Sequence, residues 1–424
     1  MGLRGSSRLA APLTSQDFTL TEDSEVGLEI QASSPGASWA MKDAEASALR
    51  IEVDGQYSQD LILAAGASPF IYGVMLGRLA RGHHHVSVSL NQARSAVGAQ
   101  QAKVLSLRTI SPAKDSHHTG DNLMALEYSP VLFQRVNTID RFSDLPILMY
   151  YEVLNPHQGE VTVRYTTIFT NEDGGTPTAA LMARWGRAAD IEWVYEVRLR
   201  DGHVVEENFQ GVNHETKPFR GQRMNGHHPL LAVASDNNNF SDAANSIVRF
   251  ALLPIAADLH DSTRESMMDA HPWTFRLVAE ELLREGKIKP EPTDNNTISD
   301  PRDYIYVDLR ATQKRTAISV SAVSEKQTEL AFSDLGEARL RIDRSGYFRT
   351  AIRMASAESA GAVSTVTVHC YSDVAHDCED VEVRSVSVLD QDYTPKLLAI
   401  QRLTPRNIKS NESLSISILG PRSR

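Results

Sequence analysis

Cysteine is scarce in this chain. Its 424 residues contain two, Cys370 and Cys378, eight positions apart in CYSDVAHDC. So few exclude a disulfide-built miniature scaffold and a four-ligand cysteine zinc module. A small loop closed by a disulfide and a pair of free thiols both stay open. Long apolar runs are missing too. No stretch approaches the ~18 residues of a membrane-spanning helix, so no membrane span is expected. Positive charge is in deficit: Lys+Arg number 43 against 54 Asp+Glu, a formal net charge of −11. That sign repels phosphate backbones and anionic membranes, so no nucleic-acid partner is expected.

Familiar catalytic signatures are also missing. There is no P-loop, dinucleotide fingerprint, G-x-S-x-G nucleophile elbow, H-E-x-x-H helix or EF-hand loop. Most kinases, dehydrogenases, α/β-hydrolases and zincin proteases are thereby set aside. The opening MGLRGSSRLAAPLTSQ carries basic residues without a continuous apolar core. It reads as what is left after a leader is removed, or as an added segment.

What is present is alternation. Hydrophobic residues are 41% and charged residues 23% of the chain, near the globular average. Leu49, Ile51 and Val53, then Phe70, Tyr72 and Val74, then Val86, Val88 and Leu90 follow a period of two, with turn signals between. Residues 17–108 are therefore expected to form an N-terminal β-sandwich. Residues 111–122 read as a linker. Residues 123–290 are expected to form a central β domain with one principal helix near 272–286, started by Pro272, capped from Asp269 and stopped by Gly286. A shorter helical stretch is expected near 262–269. Residues 303–404 return to alternation and read as a C-terminal β-sandwich. The expected fold class is mostly β and multidomain: a central sandwich-like domain flanked by two accessory sandwiches.

Candidate chemistry concentrates at 171–193, NEDGGTPTAALMARWGRAADIEW. Glu172, Asp173, Asp190 and Glu192 supply carboxylates, and Arg184, Trp185 and Arg187 lie between them. In DIEWVYEVRL, Ile191, Trp193, Tyr195, Val197 and Leu199 share one face. Asp190, Glu192, Glu196 and Arg198 share the other, interrupted by Val194. Two carboxylates on one face call for a cation between them, or for one to hold a proton. His214, His227 and His228 add nitrogen donors, so Asp190, Glu192, His214 and His228 form a candidate site for a divalent cation, with calcium favoured. His83-His84-His85 alternate across a strand, so three in a row serve one ion poorly. The octets SDNNNFSD (235–242) and TDNNTISD (293–300) read first as Asx-rich turns and second as oxygen-rich cation loops.

The order ALEYSPVLF, GRAADIEWVYEVRL, HHPLLAVASDNNNF resembles the Vps62-like and necrosis-inducing protein group, in which a strand opens with G-H-x-H-D-W-E. Gly186, Asp190 and Glu192 stand at that spacing. Arg187 and Ala189 occupy the histidine positions, and Ile191 occupies the tryptophan position. The resemblance covers about 130 residues. It implies a metal-binding β-sandwich with a cation at Asp190 and Glu192, and it does not extend to toxin activity.

These readings lead to one expected function and one rival. The first is a secreted carbohydrate-active enzyme, a glycoside hydrolase or a lyase, acting on a polysaccharide or oligosaccharide. Its catalytic carboxylates would come from Glu172, Asp173, Asp190 and Glu192, and Arg184, Trp185, Arg187 and Asn237 would contact the sugar. For a lyase the base would be His214 or Tyr165. The rival is a non-catalytic glycan-binding or cell-surface protein with a structural divalent cation.

Overall fold

A computed structural model describes residues 11–110, 120–157, 159–172, 174–243, 246, 248–400 and 404–418. The first ten residues, most of the expected linker and the candidate Asp173 lie outside the described residues. The fold is mostly β, as expected, with 48% strand and 13% helix. No helix among the described residues is long and apolar enough to cross a membrane. The chain divides into two compact units: residues 1–173 with 191–257, and residues 174–190 with 258–424.

In the first unit, strands Thr14–Leu20, Gly82–Leu90, Ala48–Val53 and Gln56–Ile62 form a four-stranded sheet. Strands Phe70–Leu79, Ser24–Ser33 and Lys103–Ile110 form a three-stranded one. The alternating residues of both meet in one core that includes Val26, Leu28, Ile30, Leu49, Ile51, Val74, Val86 and Val88. This is the sandwich expected from the period-two pattern. A six-stranded sheet follows, running Thr216–Pro218, His203–Gln210, Asp190–Arg200, Glu160–Phe169, Pro146–His157 and Ile255–Ala256. A five-stranded sheet is built around His228–Val233 and Val131–Phe133. Their shared core is aromatic, with Tyr151, Tyr165, Phe169, Tyr195, Phe209, Phe219 and Phe240.

The sandwich and these sheets belong to one unit because buried polar bonds and apolar contacts tie them. Gln59 Nε2 donates to the Met75 carbonyl at 2.6 Å, and Gln59 Oε1 accepts from Ala251 N at 2.8 Å. Met75 itself packs with Leu126, Val131 and Ala251. The division thus differs from three successive modules: 17–108 and most of the central strands stand together, and the helical region near 262–286 belongs to the second unit.

The second unit contains two further sheets. One runs Gly346–Arg353, Tyr304–Thr312, Cys378–Leu389 and Pro395–Ile400, and the other Gln327–Phe332, Ala317–Ser324, Val363–Tyr371 and Ser413–Ser417. Ile305, Val307, Leu309, Ile318, Val320, Val366, Val368, Val383 and Val386 fill the space between them. Cys370 and Cys378 are joined as a disulfide. The principal helix spans Trp273–Arg284, with Pro272 just before it and Gly286 at φ +71° just after. It belongs to this unit because its apolar stripe packs here: the Phe275 and Tyr306 rings lie 6.2 Å apart. Asp269 does not cap it. Its carboxylate is held by Arg349 instead, at 2.9 Å from Nη1. The shorter helix is Ser266–Ala270.

A third helix, Thr178–Trp185, carries no signal in the periodicity. It ends at Gly186, which has φ +61° and where a Cβ would overlap the Arg349 side chain. Glycine is required there twice over, by backbone and by space.

Candidate functional site

Unit membership divides the 171–193 segment. Asn171 and Glu172 lie in the first unit, Gly174–Asp190 in the second, and Ile191 onward in the first again.

The second-unit candidates are occupied by their own unit. Arg187 is 95% buried, with Nε 2.9 Å from Glu265 Oε1 and Nη1 donating to the Ala189 carbonyl. Nη1 also lies 3.7 Å from Asp190, which is 2% exposed. A buried guanidinium paired in this way is structural, so the expected sugar contact from Arg187 is corrected. Arg184 donates to Asp343 at 2.8 Å and to the Arg339 carbonyl at 3.1 Å. The Trp185 ring sits beside two guanidinium groups, Arg184 at 5.4 Å and Arg344 at 5.1 Å. Burial dominates at Arg344 and lowers its pKa to about 10, with the neighbouring arginines adding to the effect and Glu265 opposing it.

In the first unit the strand Asp190–Arg200 breaks its expected alternation. Val194 and Tyr195 are both fully buried in succession. Trp193 is half-buried, with the Arg164 guanidinium 5.8 Å from its ring. Trp193 is therefore not the core residue that strict alternation implies; Val194 takes that place. Tyr165 is likewise unsuited to act as a base. It is wholly buried, its hydroxyl donates to the Ala125 carbonyl at 2.5 Å, and burial pushes its pKa well above 10.

Three candidates do come together: Glu192, His214 and Asn237. Glu192 lies two residues into the strand Asp190–Arg200, and Gln210 ends the neighbouring strand His203–Gln210. The loop after Gln210 is closed by Gly211 N donating to the Glu215 carbonyl at 2.7 Å. Within it Asn213 and His214 adopt φ +62° and +60°. Two successive left-handed residues without glycine cost of order 1–3 kcal/mol each, a strain that clusters at functional sites. The turn leaves the His214 side chain 52% exposed beside the largely buried Glu192, with Nδ1 at 3.7 Å from Oε1. The loop 234–239 is drawn alongside by a bridge between Gly211 and Phe240.

Side-chain amides hold the imidazole in place. Gln210 Nε2 donates to Glu192 Oε2 and lies 2.7 Å from His214 Nδ1. The Asn237 carboxamide lies 2.9 Å from His214 Nε2. Amide nitrogens of Gln210 and Asn237 thus flank the two ring nitrogens of His214. His214 is thereby held with one edge of its ring exposed. Asn239, 1% exposed, stands 3.4 Å from Nδ1 on the inner side.

Behind this group, buried Asn238 donates to Asp144 at 2.5 Å and to the Asn171 carbonyl at 3.3 Å. Asp144 in turn accepts from Arg135 at 2.8 Å. Glu172, 6% exposed, follows Asn171 directly and so joins the same end of the unit. Of the octet SDNNNFSD, then, Asn237 faces the histidine and Asn238 anchors the loop. Asn239 falls in the stretch 236–239 expected to contact a sugar, whereas Gln210, Asp144 and Arg135 were not anticipated. Nothing hinted at these three, because a single Gln at a strand end carries no pattern.

His228 is engaged elsewhere. It is 1% exposed, with Nε2 2.9 Å from Glu25 and Nδ1 2.8 Å from the Ser129 carbonyl. His227 pairs with Glu127 at 3.6 Å. A divalent cation needs several donors converging on one point. Among the described residues, no group of three His, Cys, Asp or Glu side chains does so. At the Glu192–His214 pair, the Gln210 amide occupies lone pairs that a cation would take. His84 is held by Asp54 at 2.8 Å and by the Ala80 carbonyl at 2.7 Å, while His83 and His85 lie 3.6 and 2.8 Å from Asp17. The outer pair and the middle histidine thus have different partners, as alternation requires.

No family model matches the chain, and no curated protein sequence does.

Proposed function

We propose that this chain is a secreted carbohydrate-binding protein and that Glu192, Gln210, His214, Asn237 and Asn239 form its sugar site. The observation that carries this reading is their convergence from separate segments of one unit onto a strained turn. Planar carboxylate, carboxamide and imidazole groups offer fixed donors and acceptors; His214 and Asn237 are the ones a sugar reaches, and buried Glu192, Gln210 and Asn239 hold them in position. The Cys370–Cys378 disulfide supports an oxidising compartment.

The test is binding of the full chain to a panel of polysaccharides and oligosaccharides. His214→Ala and Asn237→Ala are each expected to weaken binding at least tenfold with the melting temperature unchanged. No binding to any panel member, or binding indifferent to both substitutions, overturns the proposal.

A second reading, a glycoside hydrolase, is favoured by one observation: Glu192 and His214 stand 3.7 Å apart, a carboxylate beside a titratable ring. New reducing ends from the same panel, lost in Glu192→Gln, would select it, and unsaturated products would select a lyase. Repeating the panel with calcium and with EDTA tests the cation expected beside Glu192.

A further inference from the structure

The second unit holds a cavity of about 230 Å³, and every residue lining it belongs to that unit. The helix Thr178–Trp185 and the edge strand Gly346–Arg353 both contribute walls. Ala179, Met182 and Ala183 recur at i, i+3 and i+4, so they face the cavity together, and Ala351 lines it from the strand. Alanines at three of these positions leave the space that larger side chains would fill. The octet TDNNTISD supplies much of the rim, and Leu335 supplies another part. Leu335 has φ +50° and is 51% exposed. A left-handed backbone and an apolar side chain in water both cost free energy, and an apolar ligand recovers the second.

Arg353 brings the charge. Side chains two apart on a strand share a face, and so do directly opposed cross-strand partners. Ala351 and Tyr304 stand in those relations to Arg353, and both line the cavity, so the Arg353 side chain is directed to the same face. Its Nη2 donates to the Pro290 carbonyl at 3.4 Å. Nε and Nη1 have no partner among the described residues and are accessible. Asp303 is near enough to be influenced by the guanidinium charge, yet no described carboxylate forms an ion pair with it. Asp294, the one carboxylate in the walls, is exposed, and its Oδ1 accepts from Asn296 N at 2.8 Å.

A planar guanidinium with open N–H groups suits a carboxylate, and apolar walls suit a carbon body. A dry cavity of about 150 Å³ holds benzene, so this one has room for a ring or a short chain together with its carboxylate. We propose that the cavity binds a small monocarboxylate with an apolar body, its carboxylate on Arg353 and its body against Met182 and Leu335. The proposal does not rest on the sugar site at His214.

The experiment is saturation-transfer NMR and calorimetry on the full chain at neutral pH, with phenylacetate, hexanoate, acetate and phenylacetamide as probes. Phenylacetate or hexanoate is expected to bind, and the tighter of the two assigns a ring or a chain. Acetate lacks the body and phenylacetamide lacks the charge, so each should bind at least tenfold more weakly. Arg353→Gln should weaken the carboxylate at least tenfold and, since it breaks no ion pair, keep the melting temperature. Ala179→Phe should abolish binding by filling the space. Asp294→Asn should tighten binding several-fold by removing the like charge at the rim. The proposal is overturned if neither larger carboxylate binds, if acetate or phenylacetamide binds as tightly, if Arg353→Gln or Ala179→Phe binds like wild type, or if Asp294→Asn weakens binding.

Discussion

Asp308, largely buried, and Glu25, buried, are carboxylates each paired with a buried basic group, one in each unit, and they differ in how completely they are satisfied. Asp308 accepts from Arg349 Nε at 2.7 Å and Nη2 at 3.0 Å, and from Ser385 Oγ at 2.6 Å. Thr263 Oγ1 stands at 3.5 Å, and Arg349 also holds Asp269. Every charge in that cluster has a partner inside its own unit. Glu25 has His228 on one oxygen and nothing on the other. A saturated buried charge is a structural element, because any ligand would have to break bonds to enter. A half-saturated one carries a desolvation cost that its neighbours only partly offset.

The largest expected effect comes from breaking the saturated cluster. Arg349→Met leaves Asp308 and Asp269 without their common partner and should cost about 3–5 kcal/mol in denaturant unfolding. Adding Asp308→Asn should recover part of that loss, since the uncompensated charge goes with it. If the single variant costs under 1 kcal/mol, the cluster is not the structural element described. The same cluster sets an acid limb. Burial acts to raise the Asp308 pKa, but the charge and hydrogen bonds of Arg349 outweigh it and hold the group below its ordinary 3.8. A depressed folded pKa contributes stability that is full above the ordinary carboxylate range and lost as pH falls through the folded value. Wild type should therefore lose stability below about pH 4, and the Asp308→Asn, Arg349→Met protein should lose less over that window.

How far the sequence reveals each region follows from what generates a pattern. The sandwiches are legible because burial on one face of a strand imposes a period of two, as at Leu49, Ile51, Val86 and Val88. The helix Trp273–Arg284 is legible because it has both a stripe and end signals. The helix Thr178–Trp185 is not, since nearly all its residues are buried and an element buried all round has no stripe. The strand carrying Glu192 misleads at Trp193, where two consecutive buried residues shift the alternation. At the site, Glu192, His214 and Asn237 were legible as residue types suited to chemistry. Arg187 was misassigned because composition does not distinguish an arginine that meets solvent from one sealed against Glu265. Gln210 and Glu25 were invisible, since their roles depend on neighbours distant in the chain.

The two related octets give the smallest and sharpest contrast, because near-identical residues meet opposite environments. In SDNNNFSD, Asn238 is wholly buried and bonded to Asp144 and Asn171. In TDNNTISD, Asn296 is exposed, and its backbone N–H is taken by Asp294 at 2.8 Å. The turn there is held by the aspartate and by Thr297 Oγ1, which accepts from Thr293 N at 3.1 Å. The Asn296 side chain is not needed for either bond. Asn238→Ala should therefore cost about 1–3 kcal/mol, the desolvation of a buried acceptor whose donor has gone. It should also loosen the loop that presents Asn237, so sugar binding falls with stability. Asn296→Ala should stay within about 0.5 kcal/mol of wild type, as surface changes do. Chemical denaturation of the two single variants measures both. Equal costs would mean that the octet sequence itself, and not burial, determines the role, and the contrast between the two loops would then fail.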